Sequence, residues 1–194
     1  FTIGKNINLK RGFKIFGSHT DSPGFRIKPN PEMVTENLVR LNTEVYGGPI
    51  LSTWFDRPLS IAGRLIVKSE DVFLPETVII KVEEPIMTIP NLAIHQNREV
   101  NNGVKIDRQN NTLPLIGTIN ENMEKNDYML NVILDRTGIK KEDVLDFDLY
   151  VYSVEKGSLI GANEEFISAP KIDNLVSVYA GLLGLIEAED IHDQ

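Results

Sequence analysis

Segments with the alternation of β-strands fill the middle of the chain and constrain its fold more than any other feature. In GFRIKP, residues 24–29, apolar Phe25 and Ile27 alternate with an arginine and a lysine. This period of two places one face of a strand in a core. Further segments rich in Val, Ile and aromatic residues predict more strands: LVRLNTEVY at 38–46, AGRLIVKS at 62–69, ETVIIKVEEP at 76–85 and VLDFDLYVYSVEKG at 144–157.

Three other segments carry weaker or interrupted patterns. FKIFG at 13–17 predicts a short buried or half-buried strand that ends at a glycine. The prolines of KPNPEM, 28–33, are expected to end the strand that precedes them. Residues 97–127 hold eight asparagines and little periodicity, which predicts a long irregular loop. A loop of that length in a compact domain is usually functional, interfacial or mobile.

Two segments have helical periodicity. DYMLNVILDRTG at 127–138 predicts a helix that Gly138 ends. Its apolar side consists of Met129, Leu130, Ile133 and Leu134. Near the end of the chain, Asp173 or Asn174 can cap a second helix. The apolar stripe of that helix is formed by residues spaced four, three and four apart: Leu175, Tyr179, Leu182 and Ile186.

Composition excludes several classes of function. Twenty Lys and Arg against 28 Asp and Glu give a formal charge of −8, and no basic patch of the kind that nucleic acid needs is apparent. The chain has no cysteine, so any metal must be held by His, Asp or Glu. No apolar run approaches the length of a membrane helix. We therefore expect no nucleic-acid or membrane partner and a cytoplasmic location.

GSHTDSPG, residues 17–24, places His19 and Asp21 in a turn directly after a predicted strand. A histidine at a strand end is more often a hydrogen-bonded structural residue than a ligand. Sites of open α/β sheets, however, form beyond the carboxyl ends of strands. A histidine there can give one ring nitrogen to a metal while a carboxylate accepts from the other. Asp21 could orient His19 in this way, or lie beside the ligands and position another group.

Asp173, in SAPKIDNLVS, is a second candidate carboxylate. An aspartate before an apolar helix is an ordinary capping residue, and local sequence alone favours that role. A carboxylate at a helix N-terminus can also bridge two metal ions with its two oxygens. The segments around Asp21 and Asp173 are alike, because each is a predicted strand-to-turn junction with a carboxylate.

Four segments together resemble the aspartyl aminopeptidase family, which includes the vacuolar aminopeptidase I type and bacterial relatives. They occur in the family's order: GSHTDSPGFRIKP, YGGPILSTWFDRPLSIAGRLIVK, IPNLAIHQNR and SAPKIDNLVS. The resemblance implies a co-catalytic dizinc exopeptidase that removes N-terminal residues from peptides, with acidic first residues among the candidates. Zinc is the implied metal, two ions per site, and cobalt or manganese would also suit histidine and carboxylate ligands.

The resemblance also assigns roles to four residues. His19 matches the family's first metal-ligand histidine, and Asp21 matches the carboxylate that supports it. Asp173 matches the aspartate that bridges the two metals, and its peptide bond to Asn174 is expected to be cis, as in related enzymes. His95 matches a histidine of the family's inserted dimerisation domain that reaches the active site of the neighbouring subunit. On sequence alone, His95 would instead be a structural histidine on a strand.

The implied architecture is an α/β, zinc-exopeptidase-like catalytic domain with an inserted β-rich dimerisation domain. Residues 1–36 would be the first part of the catalytic domain, 37–165 the insertion, and 166–194 the return to the catalytic domain. The implied assembly is a homo-oligomer built from dimers, up to the dodecamers that the family forms. The remaining histidine, His192, matches no motif and is expected to be exposed.

The family's remaining metal ligands and its general-base Glu-Glu pair all follow the bridging aspartate. Glu83–Glu84 and Glu164–Glu165 both precede Asp173, so neither pair matches. We therefore expect a longer protein, and expect this chain alone to be inactive. The alternative, if the chain truly ended at Gln194, is a non-catalytic oligomerisation or binding module. A related dizinc carboxypeptidase or deacylase is disfavoured by STWFDR and IPNLAIH.

Overall fold

The computed structural model describes residue 10, residues 12–120 and residues 126–188. The chain divides into two compact units. The first comprises Phe1–Ser22 and Lys156–Gln194, and the second comprises Pro23–Glu155. The second unit is thus inserted into the first in sequence, although both of its boundaries lie earlier than those expected for an insertion at 37–165. The identity of the two units as catalytic and dimerisation domains stays a prediction.

A six-stranded sheet forms the second unit. Its order is β4-β3-β6-β1-β2-β5, and all five strand pairings are antiparallel. Since β1 pairs with both β2 and β6, it belongs to this sheet, which explains the early boundary. The strands are β1 Gly24–Thr35, β2 Leu38–Tyr46, β3 Leu59–Val67, β4 Glu76–Lys81, β5 Leu115–Thr118 and β6 Val144–Ser153.

The core of this unit lies between one face of the sheet and helix α1, Tyr128–Thr137. Phe25 and Ile27 of β1 are buried, as their alternation predicts. From α1, Met129, Ile133 and Leu134 enter the same core. The helix ends where predicted, because Gly138 has a φ of 72° and its N–H bonds to the Leu134 carbonyl.

Strand β1 continues through both of its prolines, so the prediction that they end the strand is wrong. The pairing with β2 shifts register between Ile27 and Glu32, and Asn30 has a φ of 53°. An irregularity of this kind accommodates residues that cannot donate a ladder hydrogen bond. The pairing therefore resumes with Glu32 opposite Leu41.

The expected loop at 97–127 is interrupted by β5, which pairs with β2. A structured turn precedes β5, in which the Asp107 carboxylate accepts from the backbone N–H groups of Gln109 and Asn110 at 2.8 and 2.9 Å. These backbone hydrogen bonds hold the pKa of Asp107 below its usual value. The prediction is thus wrong at 115–118 and at the short 3-10 helix Val100–Asn102, and the other described residues of the range form no helix or strand. Residues 121–125 lie outside the described part of the chain.

The first unit contains a two-stranded hairpin, β7 Ser158–Ile160 with β8 Phe166–Ser168, and helix α2, Ile172–Ile186. The strand predicted at 13–17 is not formed, since the described residues offer it no pairing partner, and Phe13 and Ile15 are exposed. The apolar stripe of α2 is present, but none of its residues is buried. No helix in the described ranges has the length and apolar character needed to span a bilayer.

Candidate metal centre

His19 lies in an irregular extended segment of the first unit rather than at the end of a strand. Phe16, three residues earlier, lies against Gly181 of α2 so closely that a Cβ at that glycine would be 2.1 Å from the ring. Because Gly181 has no side chain, there is space for the Phe16 ring. The segment that contains His19 thus contacts α2 through Phe16. The sequence did not reveal this contact, because a lone glycine within a helical pattern carries no specific signal.

The imidazole of His19 is held on its Nδ1 side by Asp21. Nδ1 lies 3.0 Å from the Asp21 carbonyl oxygen and 3.2 Å from its Oδ1. Both oxygens are acceptors, so they favour a proton on Nδ1. In the neutral ring, Nε2 then carries the lone pair. Asp21 therefore lies where it can orient the His19 ring, which is one of the two roles that the sequence left open for it.

Asp173 lies on the other side of the same ring, with its Oδ1 3.3 Å from His19 Nε2. Its backbone angles and those of Asn174 are non-helical, so the regular turns of α2 begin after them. The peptide bond between the two residues is cis, as expected. The carboxylate is 93% exposed, and among the described residues it makes no capping hydrogen bond to a helix N–H.

The two carboxylates shape the electrostatics of the ring between them. Asp21, through its carbonyl and then its charge, raises the pKa of His19 above 6.5, and the charge of Asp173 adds to this while desolvation opposes it. The negative charge of the same two carboxylates would also attract a metal cation. The arrangement is therefore suited to positive charge next to Nε2.

The donor set fits a zinc ion. An imidazole nitrogen and a carboxylate oxygen are ordinary zinc ligands, and the Asp21–His19 contact is the usual support for a ligand histidine. In the described ranges, no group of three or more His, Asp or Glu side chains could hold a metal. The chain thus provides two candidate ligands, His19 and Asp173, and an ion would need further ligands.

His95 lies in the second unit, in a turn rather than on a strand, and is exposed. The interpretation of His95 as a structural histidine on a strand is therefore wrong. Its role in the active site of a neighbouring subunit stays a prediction. The two Glu-Glu pairs have other partners. Glu83 pairs with Lys81 at 2.7 Å, and Glu165 accepts from the backbone N–H of Asn163 at 3.0 Å. The remaining histidine, His192, lies outside the described residues.

Comparison with known proteins places this chain among aminopeptidases. A probable M18 family aminopeptidase 2 from Clostridium acetobutylicum is 55% identical over 190 residues, which are 97% of this chain and 44% of that protein. A chain of the Ape4 and Nbr1 complex, solved by cryo-EM, superposes with a TM-score of 0.85 at 32% identity, over 97% of this chain and 39% of its own.

The M18 aminopeptidase of Thermotoga maritima has a TM-score of 0.73 at 28% identity, over 93% of this chain and 41% of its own. The fold is thus shared with a solved M18 aminopeptidase. The model of the family described as "Aminopeptidase I zinc metalloprotease (M18)" matches residues 1–194. The chain belongs to this family of zinc metalloaminopeptidases, and it spans less than half the length of the curated relatives it matches.

Proposed function

We propose that the protein containing this chain is a zinc-dependent aminopeptidase that removes single residues from the N-termini of peptides, acidic first residues among them. The observation that carries the proposal is the triad Asp21–His19–Asp173, in which one ring nitrogen is oriented by a carboxylate and the other faces a second carboxylate. Family membership supports the same reaction.

In the proposed mechanism, the residues of this chain bind the metal and orient the imidazole that binds it. His19 Nε2 and the Asp173 carboxylate would be ligands of zinc, and Asp21 fixes the tautomer and the plane of the His19 ring. Zinc supplies Lewis-acid polarisation of the peptide carbonyl and activation of water. Asp173 would help to hold both ions of a two-metal site. The general base would come from the part of the relatives' length that this chain does not cover.

His95 of a neighbouring subunit would add a hydrogen bond to the developing oxyanion of the scissile carbonyl. Its exposure on the surface of the second unit leaves it accessible to such a contact. Activity would then depend on a homo-oligomer, built from dimers and extending to a dodecamer. We place the enzyme in the cytoplasm.

The decisive experiment combines zinc analysis of the full-length protein with hydrolysis of aspartyl and leucyl peptide substrates. The parent is expected to bind zinc and to release the first residue. Asp173→Asn, which removes the charge but keeps the shape, should lower zinc content and reduce turnover to background. Asp135→Asn, which changes an exposed carboxylate of α1, should change neither. Zinc binding without hydrolysis, or full activity of Asp173→Asn, would overturn the proposal.

A further inference from the structure

The chain that leads to His95 is fixed up to Ile89 and exposed after it. Ile89 is buried, and Thr88 exchanges two backbone hydrogen bonds with Leu115 of β5, at 2.7 and 3.1 Å. The described residues 90–95 form neither strand nor helix, and all of them are exposed. Contacts other than a sheet or a core must therefore set the position of the His95 imidazole.

Asp56 supplies such a contact from a separate part of the same unit. Its carboxylate Oδ1 accepts from the backbone N–H of Asn91 at 2.9 Å. Its own backbone N–H donates to the carbonyl of Ile89 at 2.9 Å, and Phe55 beside it forms a β-bridge with Ile89. Asp56 thus binds the chain on both sides of Pro90, a residue that has no N–H of its own.

Local hydrogen bonds connect Asn91 to the turn that contains His95. The Asn91 side chain accepts from the next backbone N–H at 3.0 Å, and the Ala93 carbonyl accepts from the N–H three residues later at 2.8 Å. Within the described ranges, no hydrogen bond from elsewhere in the chain reaches residues 92–95. The bond from Asp56 is therefore the last one from outside this segment before His95.

Asp56 is itself held in place by its backbone and by the next residue. Its φ is 57°, in the left-handed region where aspartate and asparagine occur more often than other side chains. The Arg57 guanidinium donates to the Thr53 carbonyl and to the Glu155 carboxylate, which follows β6. The turn that presents the Asp56 carboxylate is thus tied to the end of a central strand.

We propose that Asp56 is a positioning residue, which holds the segment around His95 so that the imidazole reaches the oxyanion in the geometry that catalysis needs. This inference rests on the proposed role of His95 at a neighbouring active site. An oxyanion donor must lie about 2.7–3.1 Å from the position of the developing charge. A misplacement of about 1 Å, caused by a change far from the chemistry, can cost about a hundredfold in rate.

Steady-state kinetics of the full-length protein on an aspartyl peptide test this role. Asp56→Gly removes the carboxylate and adopts the left-handed backbone without strain. It should lower kcat at least about tenfold and change KM by less than about twofold, because the oxyanion forms only in the transition state. Asp56→Asn keeps an acceptor oxygen and should retain most of the turnover.

Asp71→Gly is the matched control and should leave kcat unchanged. The Asp71 carboxylate also accepts a backbone N–H, that of Phe73 at 2.9 Å, but it does so in the turn between β3 and β4. The control therefore removes the same kind of hydrogen bond from the same unit without touching the segment around His95.

A double variant separates positioning from a general effect on structure. In the His95→Phe background, Asp56→Gly should lower kcat by less than about twofold more, since residues that act as one unit are not additive. Zinc content and sedimentation coefficient should match the parent. An equal loss in both backgrounds, a changed sedimentation coefficient, or an unchanged kcat of Asp56→Gly alone would overturn the positioning role and leave that of His95 standing. Full activity of His95→Phe would instead overturn the role of His95, and this inference with it.

Discussion

His19 illustrates how a single residue is prepared for a ligand by its neighbours. The Asp21 carbonyl and carboxylate both face Nδ1, at 3.0 and 3.2 Å, so the ring is oriented from two atoms of one residue. Only the carboxylate is removed by substitution, because the carbonyl belongs to the backbone. The carbonyl should thus preserve part of the orientation in any variant of Asp21.

Asp21→Ala should therefore weaken zinc binding by about tenfold, the lower end of the range for losing a carboxylate that supports a ligand histidine. Asp21→Asn keeps an acceptor oxygen and should lose less. Competition with a chelator of known affinity measures both, in the full-length protein. Asp135→Ala is the matched control. Zinc binding of Asp21→Ala equal to that of the parent would remove the orienting role.

The sequence indicated candidate residues for the site, but not their geometry. Local sequence favoured structural roles for His19 and Asp173, and the resemblance of their segments to the aminopeptidase family made them candidate metal ligands. Their approach to 3.3 Å accompanies the packing of the Phe16 ring against Gly181, a contact between residues distant in sequence. No local pattern encodes such a contact, because it follows from which surfaces meet in the fold.

At the level of elements, Gly63 is a position where β3 leaves no room for a side chain against the backbone of β6. A Cβ at this residue would lie 2.2 Å from the Asp148 carbonyl oxygen of β6, and Gly63 has a φ of 153°. Any side chain here must push β3 away from β6, the pair that joins the β4 edge to the rest of the sheet. The glycine is thus required by backbone contact rather than by a turn.

Gly63→Ala should destabilise the chain by about 1–3 kcal/mol, the usual range for overpacking. Gly48→Ala is the matched control, since a Cβ there would meet nothing within 4 Å. Urea unfolding followed by circular dichroism should show a lower midpoint for Gly63→Ala and an unchanged midpoint for Gly48→Ala. Equal midpoints for the two variants would show that the strands can separate without loss of stability.

Strands and helices were predictable from the sequence where other described residues of the chain bury their apolar sides. The alternation of β1 and the apolar side of α1 both correspond to buried residues. FKIFG was also predicted to be a strand, yet Phe13 is 85% exposed, and the described residues offer that segment no neighbouring strand. Strand β5 was missed for the opposite reason, since its pairing with β2 imposes a strand on four residues within an asparagine-rich segment.

For the whole molecule, the central question is whether one active site draws on two subunits. His95 and Asp173 lie in different compact units. If the proposed role is correct, His95 acts on the site of a neighbour, and His95→Phe should lower turnover at least about a hundredfold, as loss of an oxyanion donor does. Zinc content should not change, because His95 is not a proposed ligand.

Complementation between subunits provides the sharper prediction. In a full-length dimer of His95→Phe with Asp173→Asn, one of the two sites regains both an intact Asp173 and an intact partner histidine. Random pairing of equal amounts should therefore restore about a quarter of the parental turnover, since half the dimers are mixed and each has one complete site. His19→Ala co-expressed with Asp173→Asn is the control and should restore nothing, because both changes disable the same site. If His95→Phe and Asp173→Asn also fail to complement while their mixed dimers form, His95 does not act across the interface.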